Sequence, residues 1–208
     1  MQRKGSLTVI SGFSGAGKGT IVRELLQRHD GYVVSVSVTT RKPRPGERDG
    51  TDYHFLTQEA FDQLVREDGL LEHAGYVGHS YGTPRRFVEE QIALGRNVIL
   101  EIEVQGARQV REKCPDAISL FVLPPSIEEL KRRLAGRGTE TEEEIRGRLL
   151  QACEEAKEMP HYDYLIVNDD LDETVELVHR TIQTARNAPC RSSELIEEIT
   201  AQLAKSRE

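Results

Sequence analysis

The chain has 208 residues, of which 37% are hydrophobic and 30% charged, with a net charge of −7. This composition is typical of a soluble globular protein, and it disfavours both a disordered chain and general nucleic-acid binding through a basic surface. Three widely spaced cysteines without a CxxC pair favour a cytoplasmic location over a disulfide framework. The first apolar run, residues 7–10, is too short for a signal peptide or a membrane span, so we expect no membrane attachment.

The predicted elements alternate between strand and helix from the start of the chain. Residues 7–10 form a short apolar strand that is followed at once by glycines, and residues 18–29 place their apolar side chains on one helical face. A second strand is predicted over residues 32–38. A connection rich in proline, glycine and charge follows over residues 41–52.

Capping signals delimit the next helices. Thr57 is expected to cap a helix that runs to about Asp68 and ends at Gly69, and Pro84 is expected in the first turn of another. The capping-box pattern predicts two further helix starts, at Ser126 with Glu129 and at Thr141 with Glu144. The remaining predicted elements are strands over residues 97–103, 117–123 and 164–168, and helices over residues 172–185 and 193–205.

Strands that alternate with helices predict the α/β class, with a central parallel sheet covered on both faces. We expect one domain over residues 5–186 and a C-terminal tail over residues 187–208 that contains a helix. The oligomeric state is left open by the sequence.

Residues 12–20 read GFSGAGKGT and match the GxxxxGK spacing of a phosphate-binding loop, or P-loop. Glycines let backbone N–H groups turn toward phosphate oxygens, the following helix offers its positive end, and Lys18 reaches the β- and γ-phosphates. The alternative, a glycine-rich turn without a ligand, is disfavoured by the lysine and by both flanking elements. The predicted ATP-binding residues are Gly12, Phe13, Ser14, Gly15, Ala16, Gly17, Lys18, Gly19 and Thr20.

Gly19 stands where a Ser or Thr that contacts Mg²⁺ is usual. No residue is therefore assigned as a certain metal ligand, and Mg²⁺ is expected to be held through the ATP phosphates and water. Thr20 follows one position later.

A second cluster combines two arginines three residues apart with a tyrosine. Arg41 and Arg44 can form bidentate hydrogen bonds with a phosphate dianion, and Tyr53 can donate its hydroxyl. The alternative is a solvated charged loop, which is the usual interpretation of a charge run.

Residues 39–55 have the pattern TTRxxRxxExxGxxYxF, which resembles the signature of guanylate kinases. Further segments that carry the resemblance are Glu72 in Leu-Leu-Glu, Tyr81-Gly82-Thr83, Val104-Gln105-Gly106, Arg137-Gly138-Thr139-Glu140 and Val167-Asn168-Asp169-Asp170. The resemblance covers roughly residues 7–186. It implies a P-loop nucleoside monophosphate kinase with a small GMP-binding lobe of about residues 37–87 and a mobile lid of about residues 126–158.

The resemblance also implies a reaction: phosphoryl transfer from ATP to GMP or dGMP, with Mg²⁺ as cofactor, for the recycling of guanine nucleotides. The residues implied to bind GMP are Ser37, Arg41, Arg44, Glu47, Tyr53, Glu72, Tyr81, Thr83 and Glu101. The implied catalytic residues are Lys18, Arg137, Arg148 and, as a third lid candidate, Arg133. Asn168 would lie near the adenine of ATP. The sequence departs from the family at Glu101 and Glu103, where aspartates are common, and at Thr83, which is often serine.

Elementary chemistry agrees with these roles. The Glu72 carboxylate can accept hydrogen bonds from the N1–H and amino group of guanine, whereas adenine presents an acceptor at N1. No general base is required, because the GMP phosphate is already an anionic nucleophile.

Three other functions remain as alternatives: a non-catalytic module of the same family, a kinase for another nucleotide, and an RNA-binding protein. The intact loop disfavours the first, Glu72 the second and the acidic balance the third.

Overall fold

The computed structural model describes residues 4–76, 78–136 and 142–206. The strands in these residues are β1 (Leu7–Gly12), β2 (Tyr32–Val34), β3 (Val38–Thr39), β4 (His54–Phe55), β5 (Leu70–Tyr76), β6 (His79–Pro84), β7 (Asn97–Glu101), β8 (Ile118–Leu123) and β9 (Tyr164–Val167). The helices are α1 (Lys18–Arg28), α2 (Gln58–Arg66), α3 (Arg85–Ala93), α4 (Val104–Lys113), α5 (Ile127–Ala135), α6 (Glu142–Ala156), α7 (Leu171–Ala185) and α8 (Ser193–Lys205).

Five strands form a parallel sheet in the order β2-β7-β1-β8-β9. Every residue of β1 is buried, and successive side chains of a strand point to opposite faces, so both faces of the sheet are covered. Helix α1 packs against α7, α4 against β1 and α3 against β7. The predicted α/β class with a central parallel sheet is confirmed.

The second sheet has the order β4-β3-β6-β5, with antiparallel pairing of β6 to both β3 and β5. We call residues 38–84, which hold this sheet and α2, the small lobe. Its buried apolar cluster consists of Val38, Phe61 and Leu70, and is separate from the large cluster around the parallel sheet. Helix α4 lies along β5 and so joins the small lobe to the parallel sheet.

The single strand predicted over residues 32–38 is wrong, because this segment contributes to both sheets. β2 ends at Val34, and the Ser35 N–H still donates to Ile99 O of β7 over 3.0 Å. The chain then leaves the parallel sheet, and Val38 pairs with β6 of the small lobe. The β-branched composition predicted extended backbone correctly but carries no information on the pairing partner.

The end of α2 also differs from the expectation. The Thr57 hydroxyl accepts a hydrogen bond from Ala60 N, which confirms the predicted cap. The left-handed residue after the helix is Asp68, with φ 51°, and not Gly69. Asp tolerates this conformation because its short polar side chain can bond locally, and its carboxylate pairs with Arg85.

Other predicted boundaries fall close to the observed ones. Pro84 precedes α3 and does not lie in its first turn. Ser126 caps α5 by accepting from Glu129 N, as predicted, whereas Thr141 lies outside the described residues. The tail helix over residues 193–205 is confirmed as α8. Among the described residues, no helix is long and apolar enough to cross a membrane.

Candidate active site

The loop after β1 lies at the carboxyl end of that strand, since β1 ends at Gly12 and α1 begins at Lys18. Gly12, Gly15 and Gly17 have positive φ angles of 144°, 86° and 94°, which residues with a side chain rarely adopt. A Cβ atom at Gly12 would also lie 2.0 Å from the backbone oxygen of Val122 in β8. The loop therefore depends on glycine for both its turn and its close approach to the sheet.

Lys18 folds back over this loop. Its ammonium group donates to the carbonyl oxygen of Gly12 over 2.6 Å and to that of Phe13 over 3.2 Å. The Phe13 ring is buried and packs edge-on against Phe121, with 5.1 Å between centroids. Phe13 can therefore offer a ligand only its backbone, and Lys18 is the cation on the loop.

Asn168 braces the loop from the end of β9. Its side-chain nitrogen donates to Ala16 O over 2.8 Å, and its own carbonyl accepts from Arg133 over 3.0 Å. Arg133 is further tied to Glu129 over 2.6 Å. The Asn168 amide is thus engaged by the loop itself, and Arg133 supports that brace.

Arg148 brings α6 to the loop, because its guanidinium donates to the Ser14 hydroxyl over 2.5 Å. The two residues are 134 positions apart in sequence. Arg137, another of the predicted lid cations, lies outside the described residues.

Arg41 and Glu47 form a bidentate pair in the small lobe, with both nitrogen–oxygen distances at 2.9 Å. Glu47 also accepts from the backbone N–H of Arg44 over 2.8 Å. The hydrogen bonds from Arg41 and the Arg44 backbone lower the pKa of Glu47 to about 2. Glu47 therefore stays ionised and fixes the segment that carries both arginines.

Two tyrosines stand beside this pair. The rings of Tyr53 and Tyr81 meet edge-on with 5.9 Å between centroids, and the Arg41 guanidinium lies 5.3 Å from the centre of the Tyr53 ring. Burial raises the pKa of Tyr53, so its hydroxyl remains a hydrogen-bond donor at neutral pH. The Arg41 guanidinium and the side chains of Tyr53 and Tyr81 therefore lie next to one another.

Glu72 is a buried carboxylate on β5, only 4% exposed. Its Oε1 atom accepts a hydrogen bond from the Thr83 hydroxyl of β6 over 2.7 Å. Burial raises the pKa of Glu72, and the Thr83 hydrogen bond opposes that rise. The hydrogen bond from Thr83 therefore fixes the orientation of the Glu72 carboxylate.

These groups enclose a cavity of about 280 Å³. The lining residues are Ser37, Arg41, Arg44, Tyr53, Glu72, Ala74, Tyr81, Glu101, Ile102, Glu103 and Gly106. The structure thus brings together most of the side chains predicted to bind GMP, while Glu47 and Thr83 stand behind the lining. Sequence reasoning assigned no binding role to Ala74, Ile102, Glu103 and Gly106, although Glu103 was noted as a departure from the family and the motif containing Gly106 was visible.

Glu101 stands between the loop and the cavity. It is the last residue of β7, and its register partner on β1 is Ile10, two residues before Gly12. A Cβ atom at Gly19 would lie 3.4 Å from its Oε1 atom, so the carboxylate borders the position where the loop lacks a hydroxyl. Desolvation raises the pKa of Glu101, whereas the charge of Lys18 lowers it.

A glycine-rich loop and a polar cavity at the carboxyl ends of a central parallel sheet are typical of the P-loop nucleoside monophosphate kinase fold. The comparisons with known proteins narrow this class. The family model described as guanylate kinase matches residues 4–185. The guanylate kinase of Clostridium perfringens strain SM101 is 47% identical over 196 residues, which is 94% of this chain and 89% of that protein. The guanylate kinase of Parasynechococcus marenigrum is 54% identical over 82% of this chain and 94% of its own.

A solved structure agrees with the sequence comparisons. The crystal structure of guanylate kinase from Anaplasma phagocytophilum superposes with a TM-score of 0.75 and 34% identity, covering 95% of this chain and 96% of that one. The chain belongs to the guanylate kinase family.

Proposed function

We propose that this chain transfers the terminal phosphoryl group of ATP to GMP, giving ADP and GDP, with ATP on residues 12–20 and GMP in the cavity. The observation that carries this assignment is the cavity, which joins the Arg41 guanidinium and two tyrosines to the buried Glu72 carboxylate. Its volume of about 280 Å³ is just below the range of small-ligand pockets, about 300–1,000 Å³. Membership in the guanylate kinase family supports the same reaction.

The base is selected by Glu72. A carboxylate held by Thr83 at Oε1 still has lone pairs for the N1–H and amino group of guanine. Adenine would place an acceptor against this carboxylate, and burial makes that mismatch costly because water cannot compensate it. We therefore assign the guanine edge to Glu72, with Ser37 and Glu103 as further polar groups of the lining.

The phosphate of GMP is bound by Arg41, Arg44, Tyr53 and Tyr81. Glu47 does not contact the phosphate in this proposal, since both of its oxygens are used by Arg41 and the Arg44 backbone. It is a positioning residue that fixes the direction of the guanidinium, which lowers the entropy lost when a phosphate binds.

Transfer requires neutralisation of charge and exclusion of water. Lys18 supplies one positive charge at the loop, and Arg148 is a second candidate because it already reaches Ser14. We propose that residues 126–158 act as a lid that carries Arg148 and Arg137 over the phosphates. Arg133 is hydrogen-bonded to Glu129 and Asn168, so we assign it a supporting role behind the loop and not contact with the phosphates.

The chain offers suitable oxygen donors for Mg²⁺, the ion typical of this family. Mg²⁺ prefers oxygen ligands and keeps several waters, and Glu101, the last residue of β7, borders Gly19 of the loop. We propose that Glu101 is the protein group nearest the ion, while ATP and water supply the other ligands. When bound, the ion would neutralise the β- and γ-phosphate oxygens.

The proposed partners are the small molecules ATP and GMP, with no nucleic acid or membrane among them. The cysteines Cys114, Cys153 and Cys190 are all unpaired, which supports a reducing compartment such as the cytoplasm.

The test is ADP release measured with GMP, dGMP, AMP, UMP and CMP as alternative acceptors, at saturating ATP and Mg²⁺. We expect turnover with GMP and dGMP alone. Absence of turnover with every acceptor would overturn the assignment as an active kinase, and equal turnover with AMP would overturn the role given to Glu72.

A further inference from the structure

Gly106 lies in the first turn of α4, directly against the Glu72 carboxylate. A Cβ atom at position 106 would be 2.4 Å from Oε2 and 2.9 Å from Cδ of Glu72. Because ordinary contacts of a Cβ atom begin near 3.4 Å, the carboxylate would have to move by about 1 Å before any side chain could fit.

Glu72 is blocked on its other side. Thr83 donates to Oε1 over 2.7 Å and is itself 1% exposed, so the hydroxyl has no room to retreat. The two strands are also close, since a Cβ atom at Gly82 would lie 2.9 Å from the Glu72 carbonyl oxygen. The open space next to the carboxylate is the cavity in which we have placed guanine.

Helix α4 is fixed to β5 along the same face. The Gln109 side chain accepts from His73 N over 3.2 Å and donates to His73 O over 2.7 Å, and the Lys113 ammonium donates to Leu70 O over 3.3 Å. Gly106, Gln109 and Lys113 are three and four residues apart, so they share one helical face. A shift of the helix to accommodate a side chain at position 106 would strain these bonds.

We propose that Gly106 is a specificity-determining residue, because its missing side chain sets the depth at which the Glu72 carboxylate meets the base. The proposal rests on the function proposed above. A side chain at position 106 turns the carboxylate into the cavity and displaces the acceptor atoms of the guanine contact by about 1 Å. Misplacement of that size costs up to about 100-fold in rate. The loss should affect base recognition, because Arg41 and the other residues proposed to bind the GMP phosphate do not lie on β5 or α4.

The test compares Gly106→Ala with Gly75→Ala. Gly75 lies on β5, the strand that carries Glu72, and a Cβ atom there would meet nothing within 4 Å. For Gly106→Ala we expect kcat/KM with GMP to fall by about 10–100-fold and the GMP-to-AMP ratio by at least about tenfold, with KM for ATP changed less than about twofold. Gly75→Ala should retain the wild-type GMP-to-AMP ratio. An unchanged ratio in Gly106→Ala overturns the proposal.

A thermal-unfolding cycle separates this contact from a general folding defect and from the proposed function. Aspartate is one methylene shorter than glutamate, so Glu72→Asp withdraws the carboxylate from position 106. We expect the melting temperature lost through Gly106→Ala to be smaller in the Glu72→Asp background than in the wild type. Equal losses in both backgrounds overturn the steric pairing, whether or not the chain turns over GMP. A wild-type chain that does not turn over GMP would overturn the proposed function and with it the specificity role, and the thermal-unfolding cycle would then judge the steric pairing of Gly106 with Glu72 by itself.

Discussion

The loop at residues 12–20 and the small lobe, which we propose bind the phosphates of ATP and GMP, are built in two different ways. The loop is anchored in the large apolar core, and its shape depends on backbone: three glycines with positive φ and a carbonyl of β8 at close approach. The small lobe rests on a cluster of three buried apolar residues, and its site consists of side chains that hold one another. The loop offers Lys18 as its cation, while the lobe offers several overlapping donors.

This difference predicts where substitutions act. We expect that loss of the Lys18 side chain removes charge stabilisation at the loop that Arg148 alone does not restore, so it should reduce the rate of transfer. Loss of one side chain from the phosphate end of the lobe leaves other donors in place, so it weakens GMP binding in smaller steps. Glu72 is the exception in the small lobe. We expect its loss to have a large effect, because no other residue of the lobe is proposed to accept hydrogen bonds from the base.

The largest effect is expected for Lys18→Met. The side chain keeps much of its length but loses the charge at the transferring phosphate, so kcat should fall by about 100–1,000-fold. GMP affinity, measured by calorimetry, should stay within about twofold because the cavity lining does not include Lys18. Lys205→Met on the tail helix is the matched control and should leave kcat unchanged. Parallel loss of GMP binding and turnover in Lys18→Met would contradict the separation of the two regions.

Glu72→Gln should produce the next largest effect, and it should change the use of GMP without changing the use of ATP. The amide still accepts from Thr83 but turns an NH₂ group toward the donors of guanine, so kcat/KM for GMP should fall by about 10–100-fold. Discrimination between GMP and AMP should weaken in the same assay. Glu59→Gln, an exposed position on α2, serves as control. Undiminished discrimination would remove Glu72 from the base-binding role.

Glu47→Gln should have a smaller effect, because Glu47 acts through Arg41. We expect KM for GMP to rise by about fivefold or less, with kcat nearly unchanged. The pKa of Glu47 is lowered to about 2, so its contribution to stability is complete above the unfolded value of 4.5 and is lost only as the pH falls toward 2. The ratio of KM between variant and wild type should therefore stay constant between pH 6 and 8. A ratio that varies with pH in this range would contradict an ionised Glu47, and Glu67→Gln supplies the control.

Local features of the chain were predictable from sequence, whereas contacts between distant segments were not. Gly12 and Lys18 mark the loop because glycine and the start of a helix act within a few residues. Thr57 and Ser126 mark helix starts for the same reason. The contact of Arg148 with Ser14 joins residues 134 positions apart, and no spacing rule reaches across such a distance.

The same limit explains the errors. The segment over residues 32–38 was predicted as one strand because composition indicates extended backbone and not which sheet it joins. Asp68, not Gly69, adopts the left-handed conformation. Its carboxylate accepts a hydrogen bond from Arg85, which lies 17 positions further along the chain and could not be foreseen from the local sequence. Gly106 had no role assigned from sequence because the role we propose for it depends on a missing side chain, and its contact with Glu72 becomes visible only in the structure.

The smallest effect is expected at the packing of α1 against α7, at the end of α1 that is away from the loop. His179 stacks on His29 with 3.7 Å between ring centroids and contacts the Tyr32 hydroxyl over 3.0 Å, and Glu176 bonds to His29. Burial first, and then the charge of His29, lower the pKa of His179 below 6.5, while Glu176 partly opposes this. The unfolded chain therefore binds this proton more readily than the native one.

Stability consequently falls as the pH drops through 6.5 and levels off below the native pKa of His179. If the stability of the region around the parallel sheet comes mainly from its apolar core, this titration should lower the melting temperature by only about 1–2 °C between pH 7.5 and 5.5. His179→Asn should reduce that decrease, whereas His54→Asn, at an exposed position in the small lobe, should retain it. Equal pH slopes in wild type and His179→Asn would assign the acid sensitivity elsewhere. A decrease of many degrees that His179→Asn abolishes would mean that the packing of α1 against α7 depends on these polar contacts and not mainly on the apolar core.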